Sequence, residues 1–256
     1  MWKKKEPDER RMPLSGHLGE LRGRLFKSLG AVGVGMLLTY SFSDELIRLL
    51  RQPGVTELYS LSPVEAFWTT LKVSFFSGLA VSLPFVLWQV WKFVSPGLTP
   101  RERRYSLPFV VLASIFFALG VLFCYEVVLP FAVRFLVRFG TERGITPLFS
   151  IGMYVDFSLK FLLAFGLIFE LPLALTLLSR LGLITPRFLA KNRRYAVLVN
   201  AVLAAVLTPT TDVFNMMLTM LPLMIFYELG ILGARLFGKT EKPVAGDMAR
   251  GTETRG

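Results

Sequence analysis

The stretch FSLKFLLAFGLIFELPLALTLL, residues 157–178, decides the fold. Its only ionisable residues are Lys160 and Glu170. As a helix it is about 33 Å long, enough to cross a hydrocarbon core of roughly 30 Å. Five further apolar stretches lie around it, at residues 25–42, 73–93, 105–125, 195–207 and 213–232. The composition agrees: 53% of the 256 residues are hydrophobic and 18% charged, against roughly a quarter charged in a soluble globular domain. The sequence therefore predicts an all-α, polytopic membrane protein of six spans.

The net charge of +11 raises the question of a nucleic-acid partner, and the placement of the basic residues answers it. Of 29 Lys and Arg, 22 fall in the N-terminal segment, in residues 92–104 and 180–194, and after residue 234; six fall in the alternate loops, and Lys160 lies within a span. Cytoplasmic loops carry the excess of Lys and Arg, so both termini are cytoplasmic and the basicity reports topology rather than nucleic acid. The expected organisation is a basic N-terminus with an amphipathic helix (residues 1–24), a six-helix membrane domain (25–238) and a disordered cytoplasmic tail (239–256).

Short connections carry helix-start signals. Ser62-Pro63-Val64-Glu65 reads as a capping box opening a short outer helix, and Thr99-Pro100-Arg101-Glu102 and Thr185-Pro186-Arg187 read as helix starts on the inner side. Val128, Phe131, Phe135 and Phe139 line one face of an outer amphipathic segment, with Arg134 and Arg138 opposite. Leu14, Leu18, Leu21 and Leu25 predict an amphipathic helix lying along the inner interface and feeding the first span. Pro84, Pro108, Pro172 and Pro222 stand in four spans, and prolines there bend helices, so the bundle is expected to be concave. The fifth span is short and Thr208-Pro209 ends it, so the terminal hairpin is expected to be too short for an ordinary bilayer.

Few residues can carry chemistry. A single Cys124 and a single His17 exclude a disulfide framework, a Cys/His zinc site and a Cys-His or Ser-His hydrolase. No Gly-rich loop followed by Lys and Ser or Thr offers an ATP site. The chain is read as no enzyme, with neither metal nor cofactor. Glu170 stands inside a span, where an ionisable group costs several kcal/mol and marks function by default. Asp212 is either a cap for the helix starting at Val213 or a proton-responsive or partner-contacting group. Glu20 can pair with Arg24 four residues on, and Glu102 can close its capping box. Both carboxylates also stand in basic inner segments, where a cationic ligand would arrive.

Five motifs resemble the TatC family, the multispanning receptor subunits of the twin-arginine protein translocase. They are HLGELRGRL at 17–25, WQVWKFVSPGL at 88–98, Glu102-Arg103-Arg104, Phe165-Gly166 through Phe169-Glu170-Leu171-Pro172, and Leu207-Thr208-Pro209 through Asp212-Val213-Phe214. The resemblance covers roughly residues 13–238 and implies a multi-pass protein of the bacterial cytoplasmic membrane. It implies that Glu20 and Glu102, with Phe93 and the motif residues Arg22 and Arg103, form a site for twin-arginine signal peptides. It also implies that Pro53, Glu170 and Asp212 serve transport and assembly. The partners implied are small single-span TatB-like and TatA-like subunits on the fifth span, where Val202 sits, and further copies of the chain in one complex. Met216 stands where many members have a glutamine that lines the partner site. The resemblance places the energy source in the proton gradient. The competing class is a secondary transporter or channel for a small solute, which would use Glu170 and Lys160 in an internal cavity.

The topology is open to direct test. Cysteines introduced near Glu65 and Arg143 are expected to label from outside the cell, and those near Arg103 and Lys191 are not. Labelling of both sets from one side would defeat the six-span arrangement.

Overall fold

The structure is a computed structural model describing residues 14–51, 57–97, 106–145, 148–207 and 212–237. Pro53, Glu102, Arg103, the expected box at Thr99 and the C-terminal tail lie outside the described residues. The described residues form helices α1 (Leu14–Tyr40), α2 (Ser43–Leu50), α3 (Glu65–Val94), α4 (Ser106–Phe123), α5 (Leu129–Thr141), α6 (Ile151–Arg180), α7 (Pro186–Lys191), α8 (Arg193–Leu207) and α9 (Val213–Phe237). A π-helical turn, Cys124–Val128, joins α4 to α5. The only sheet among the described residues is a two-residue parallel pair, Leu58–Tyr59 against Phe149–Ser150.

The six spans are α1, α3, α4, α6, α8 and α9. With no water in the hydrocarbon core, a crossing segment must satisfy its backbone internally, and helices do so. Hydrophobicity does not draw such helices together, because lipid tails are as apolar as leucine; close packing of small residues does. In α1 and α3 the contact is Gly35 on Gly78: a Cβ at Gly35 would stand 2.6 Å from the Gly78 carbonyl oxygen, and one at Gly78 would strike the backbone of Gly35 and Met36. One turn further out, the Thr39 hydroxyl donates to the Ser74 carbonyl oxygen at 2.8 Å. Gly120 of α4 and Gly166 of α6 leave similar room for the backbone of Phe165 and the ring of Phe117. Phe161 and Phe165 are fully buried beside Cys124 and Leu129.

Outside the membrane, polar ties replace small-residue packing. Glu65 takes hydrogen bonds from the Ser150 hydroxyl and from the backbone N–H groups of Gly152 (2.9 Å) and Leu61 (2.6 Å). Lys72 pairs with Asp156 at 2.7 Å, and the hydroxyls of Tyr154 and Tyr125 donate to the carbonyls of Leu50 and Leu49, each at 2.8 Å. These contacts fasten the outer ends of α2, α3, α4 and α6 into one cap.

Several local expectations change. Among the described residues no break separates an interfacial helix from the first span: α1 runs unbroken for 27 residues from Leu14. The sharp bend is instead the 83° turn between α1 and α2, which lays α2 across the outer surface. Ser62 does not cap by its side chain; α3 starts at Glu65 and is a single 30-residue helix, and the Glu65 carboxylate holds both the upstream Leu61 N–H and, across the chain, that of Gly152. Residues 127–139 continue α4 through the π turn rather than forming a separate surface helix. Their buried residues are Val128, Leu129, Ala132 and Val133, while Phe131 and Phe139 are exposed. Phe135 stacks on Phe214 at 3.8 Å, which turns this face toward the start of α9. Pro84, Pro172 and Pro222 lie inside helices, but Pro108 is in the first turn of α4, where a missing N–H breaks no helical bond. Thr185 does cap α7, accepting from the Phe188 N–H at 3.1 Å.

Replacing Gly78 with leucine would drive a side chain into the α1 backbone, which has no flexible end to yield. The expected outcome is a loss of at least about 1–3 kcal/mol, the usual range for overpacking. It is read as a lower unfolding midpoint in detergent, with a milder effect for Phe75→Leu on the exposed face of the same helix.

Candidate functional site

The inner ends of α1 and α3 carry the first group of expected site residues. The Gly35–Gly78 contact sets their level: fifteen residues toward the N-terminus from Gly35 is Glu20, and fifteen toward the C-terminus from Gly78 is Phe93. Because the helices run antiparallel, Glu20 and Phe93 reach the same depth at the inner surface. Glu20 is partly buried and binds Arg24, whose Nε donates at 3.0 Å while Nη2 donates to the same oxygen. Arg22 is exposed, with its guanidinium 5.7 Å from the Phe26 ring centre. Phe93 is half-buried beside an aromatic group in which Lys92 sits 4.0 Å over Trp88 and Trp91 packs on Phe109. The Arg24 guanidinium thus meets the Glu20 carboxylate through a single oxygen.

Glu170 is the twentieth residue of α6, about 15 Å from its inner end at 1.5 Å per residue, in the inner half of the span. Its Oε1 is buried without a hydrogen-bond partner among the described residues. Phe169 beside it packs against Phe226 at 4.4 Å and Phe123 at 5.8 Å, so the carboxyl is set in an aromatic, apolar neighbourhood. Lys160 is ten residues away and exposed, and no ion pair joins the two among the described residues.

At the outer end, Asp212 caps α9: Oδ1 accepts from the Asn215 N–H at 2.7 Å and Oδ2 from its side-chain amide at 2.9 Å. The capping role is thus present, and both carboxylate oxygens are held. Met216 is half-buried against the cluster of Ile168, Ala204 and Leu223, and it packs inward. Val202 is 56% exposed on α8, with Leu198, Val199 and Val206 also exposed. That helix has 15 residues, about 22 Å, and leaves an apolar face exposed among the described residues.

Sequence reasoning missed the polar ties. Lys72 and Asp156 are 84 positions apart, and neither stands in a recognisable pattern. Glu228 pairs with Arg193 through both oxygens at 2.7 and 2.8 Å, across 35 positions of the chain. Tyr227 beside it donates to the Leu189 carbonyl oxygen at 2.9 Å, tying α9 to α7. Only the Glu65 signal was visible, and it pointed to a cap instead of a cross-link.

Helices with apolar outer faces, polar groups gathered at their two ends and one carboxyl within define a multi-pass α-helical membrane protein. Comparison with known proteins gives its class. Residues 16–222 match the family model of the Sec-independent protein translocase protein TatC. The chain is 43% identical over 239 residues to the TatC of Desulforapulum autotrophicum, covering 91% of this chain and 87% of that one. It is 38% identical over 237 residues to that of Carboxydothermus hydrogenoformans, covering 91% and 97%. A crystal structure of the twin-arginine translocase receptor TatC superposes with a TM-score of 0.77 at 36% identity, covering 86% of this chain and 98% of that one. The protein is therefore a translocase subunit and not an enzyme. It belongs to the TatC family, and the solute-transporter alternative falls away.

Asp212→Ala is expected to lower stability by about 1 kcal/mol through loss of the cap, and Asp212→Asn to keep most of it. Thermal unfolding of the two purified variants checks this; equal destabilisation by both would mean that the charge rather than the cap matters.

Proposed function

We propose that this chain is the receptor for twin-arginine signal peptides in a bacterial cytoplasmic-membrane translocase that exports folded proteins. The observation that carries the reading is the Glu20 carboxylate at the inner surface, level with Phe93 and already holding a guanidinium. An i,i+4 pair at a surface contributes only about 0.3–0.5 kcal/mol, so an incoming arginine displaces Arg24 at little cost. Glu102, in a basic inner segment of the sequence, supplies the second carboxylate that two consecutive arginines require. Arg22 and Arg103 flank these acids and keep neighbouring anionic residues or lipid headgroups in register, while Phe93 meets the apolar part of the peptide.

Further roles follow the same reading. The exposed face of α8 around Val202 receives the single-span TatB-like and TatA-like subunits, because a short helix facing lipid gains most from a packed neighbour. Met216 packs inward beneath that face and offers it no amide. Glu170 draws polar peptide or water into the inner half of the bilayer, and the short α8 thins the membrane beside it. Asp212 and Pro53 shape the outer end of the path. Several copies of the chain assemble in the complex, and the proton gradient drives transport.

The test is binding of a synthetic twin-arginine signal peptide to the purified protein. Glu20→Gln and Glu102→Gln are each expected to weaken it by about 1.5–3 kcal/mol, roughly 10- to 100-fold, with a smaller effect on a twin-lysine peptide. Equal affinity of parent and both variants, with folding intact, would remove these residues from the receptor site.

A further inference from the structure

One charged residue has no place in the receptor reading. Glu126 lies in the π turn that joins α4 to α5, with its side chain exposed. Such turns are rare and concentrate at functional sites. From Ser106, at the inner end of α4, Glu126 is about 20 residues or 30 Å along the helix, which places it at the outer boundary of the hydrocarbon. At that depth a carboxylate stands level with the headgroups of the outer leaflet.

Beside it is a groove of about 760 Å³ between α2, α3, α4 and α6. Its wall is almost wholly apolar, with Leu49, Ala80, Ala118, Leu122 and Leu162 among its residues, and Glu126 is its one charged member. Leu49, Ala80, Ala118 and Leu122 are exposed, so the groove opens to the bilayer. Along α4 its lining runs from Ser114 to Glu126, about 18 Å, close to the 15 Å or so of one leaflet's hydrocarbon. A partner helix would need the full 30 Å and a channel about 10 Å wide or more. An acyl chain of the outer leaflet fits the length. The headgroup end then meets Glu126, while the exposed Arg48 and Arg51, bracketing Leu49 and Leu50, bring positive charge to the same end of α2; Asp44 and Glu45 stand at its opposite end.

We propose that this groove is a binding site for an outer-leaflet phospholipid with a primary-amine headgroup, its acyl chain along Ala80, Ala118 and Leu122 and its ammonium on Glu126. The carboxylate accepts charge-assisted hydrogen bonds from the ammonium, and the arginines complement the phosphate. An anionic glycerol headgroup has the same hydrocarbon but repels Glu126.

The experiment follows the unfolding midpoint of the detergent-purified full chain as dioleoylphosphatidylethanolamine or dioleoylphosphatidylglycerol is added. The ethanolamine lipid is expected to reach half its effect at about tenfold lower concentration, the difference that one charge-assisted bond supplies. Glu126→Gln is expected to erase that preference while leaving the lipid-free midpoint unchanged, since the side chain is exposed. Ala118→Phe, which fills the groove from an exposed position, is expected to reduce the response to both lipids. Equal response of the parent to the two lipids, or a preference that survives Glu126→Gln, would overturn the proposal; an undiminished response of folded Ala118→Phe would move the site elsewhere. Should Ala118→Phe fail to fold, Glu126→Gln decides alone.

Discussion

The close approach of α1 and α3 at Gly35 and Gly78 is the constraint on which the inner surface depends. Two helices in lipid have no hydrophobic reason to associate, so the depth of their contact decides whether dispersion and a hydrogen bond such as Thr39 to Ser74 suffice. Backbone against backbone is the deepest contact available, and it fixes the longitudinal register. That register carries Glu20 and Phe93 to one level although 73 positions separate them in the chain.

Both ends of the bundle are tied by polar contacts between residues distant in sequence. Outside, Glu65, Lys72, Asp156, Tyr125 and Tyr154 bind partners distant in sequence, and the cap they form is stiff. On the inner side Arg193 binds Glu228 and the Tyr227 hydroxyl donates to the Leu189 carbonyl oxygen, while Glu20 binds Arg24 on its own helix.

Between the ends, the membrane itself supplies part of the mechanism. Glu170 stands where hydrocarbon makes a carboxyl costly, and α8 is shorter than the core it crosses. A thinned bilayer lowers the first cost by bringing interfacial water nearer. The outer groove with Glu126 belongs to the other leaflet and is separate from this region.

The sequence by itself determined the number of spans, their orientation and the family, because apolar length, the asymmetry of Lys and Arg, and five ordered motifs are all one-dimensional quantities. It also marked Glu20, Glu170 and Asp212, since a charge beside or inside an apolar run is visible without coordinates. Helix boundaries near the surface were less legible: α1 and α3 extend past their apolar cores, and a helix needs no hydrophobic residue once it leaves the lipid. Pairings across the chain were not legible at all. That Glu65 reaches Ser150 as well as the Leu61 N–H beside its own helix, that Glu228 pairs with Arg193, and that Met216 turns inward are outcomes of packing. They depend on which distant side chain is brought within hydrogen-bond or van der Waals range, and only the tertiary structure decides that distance.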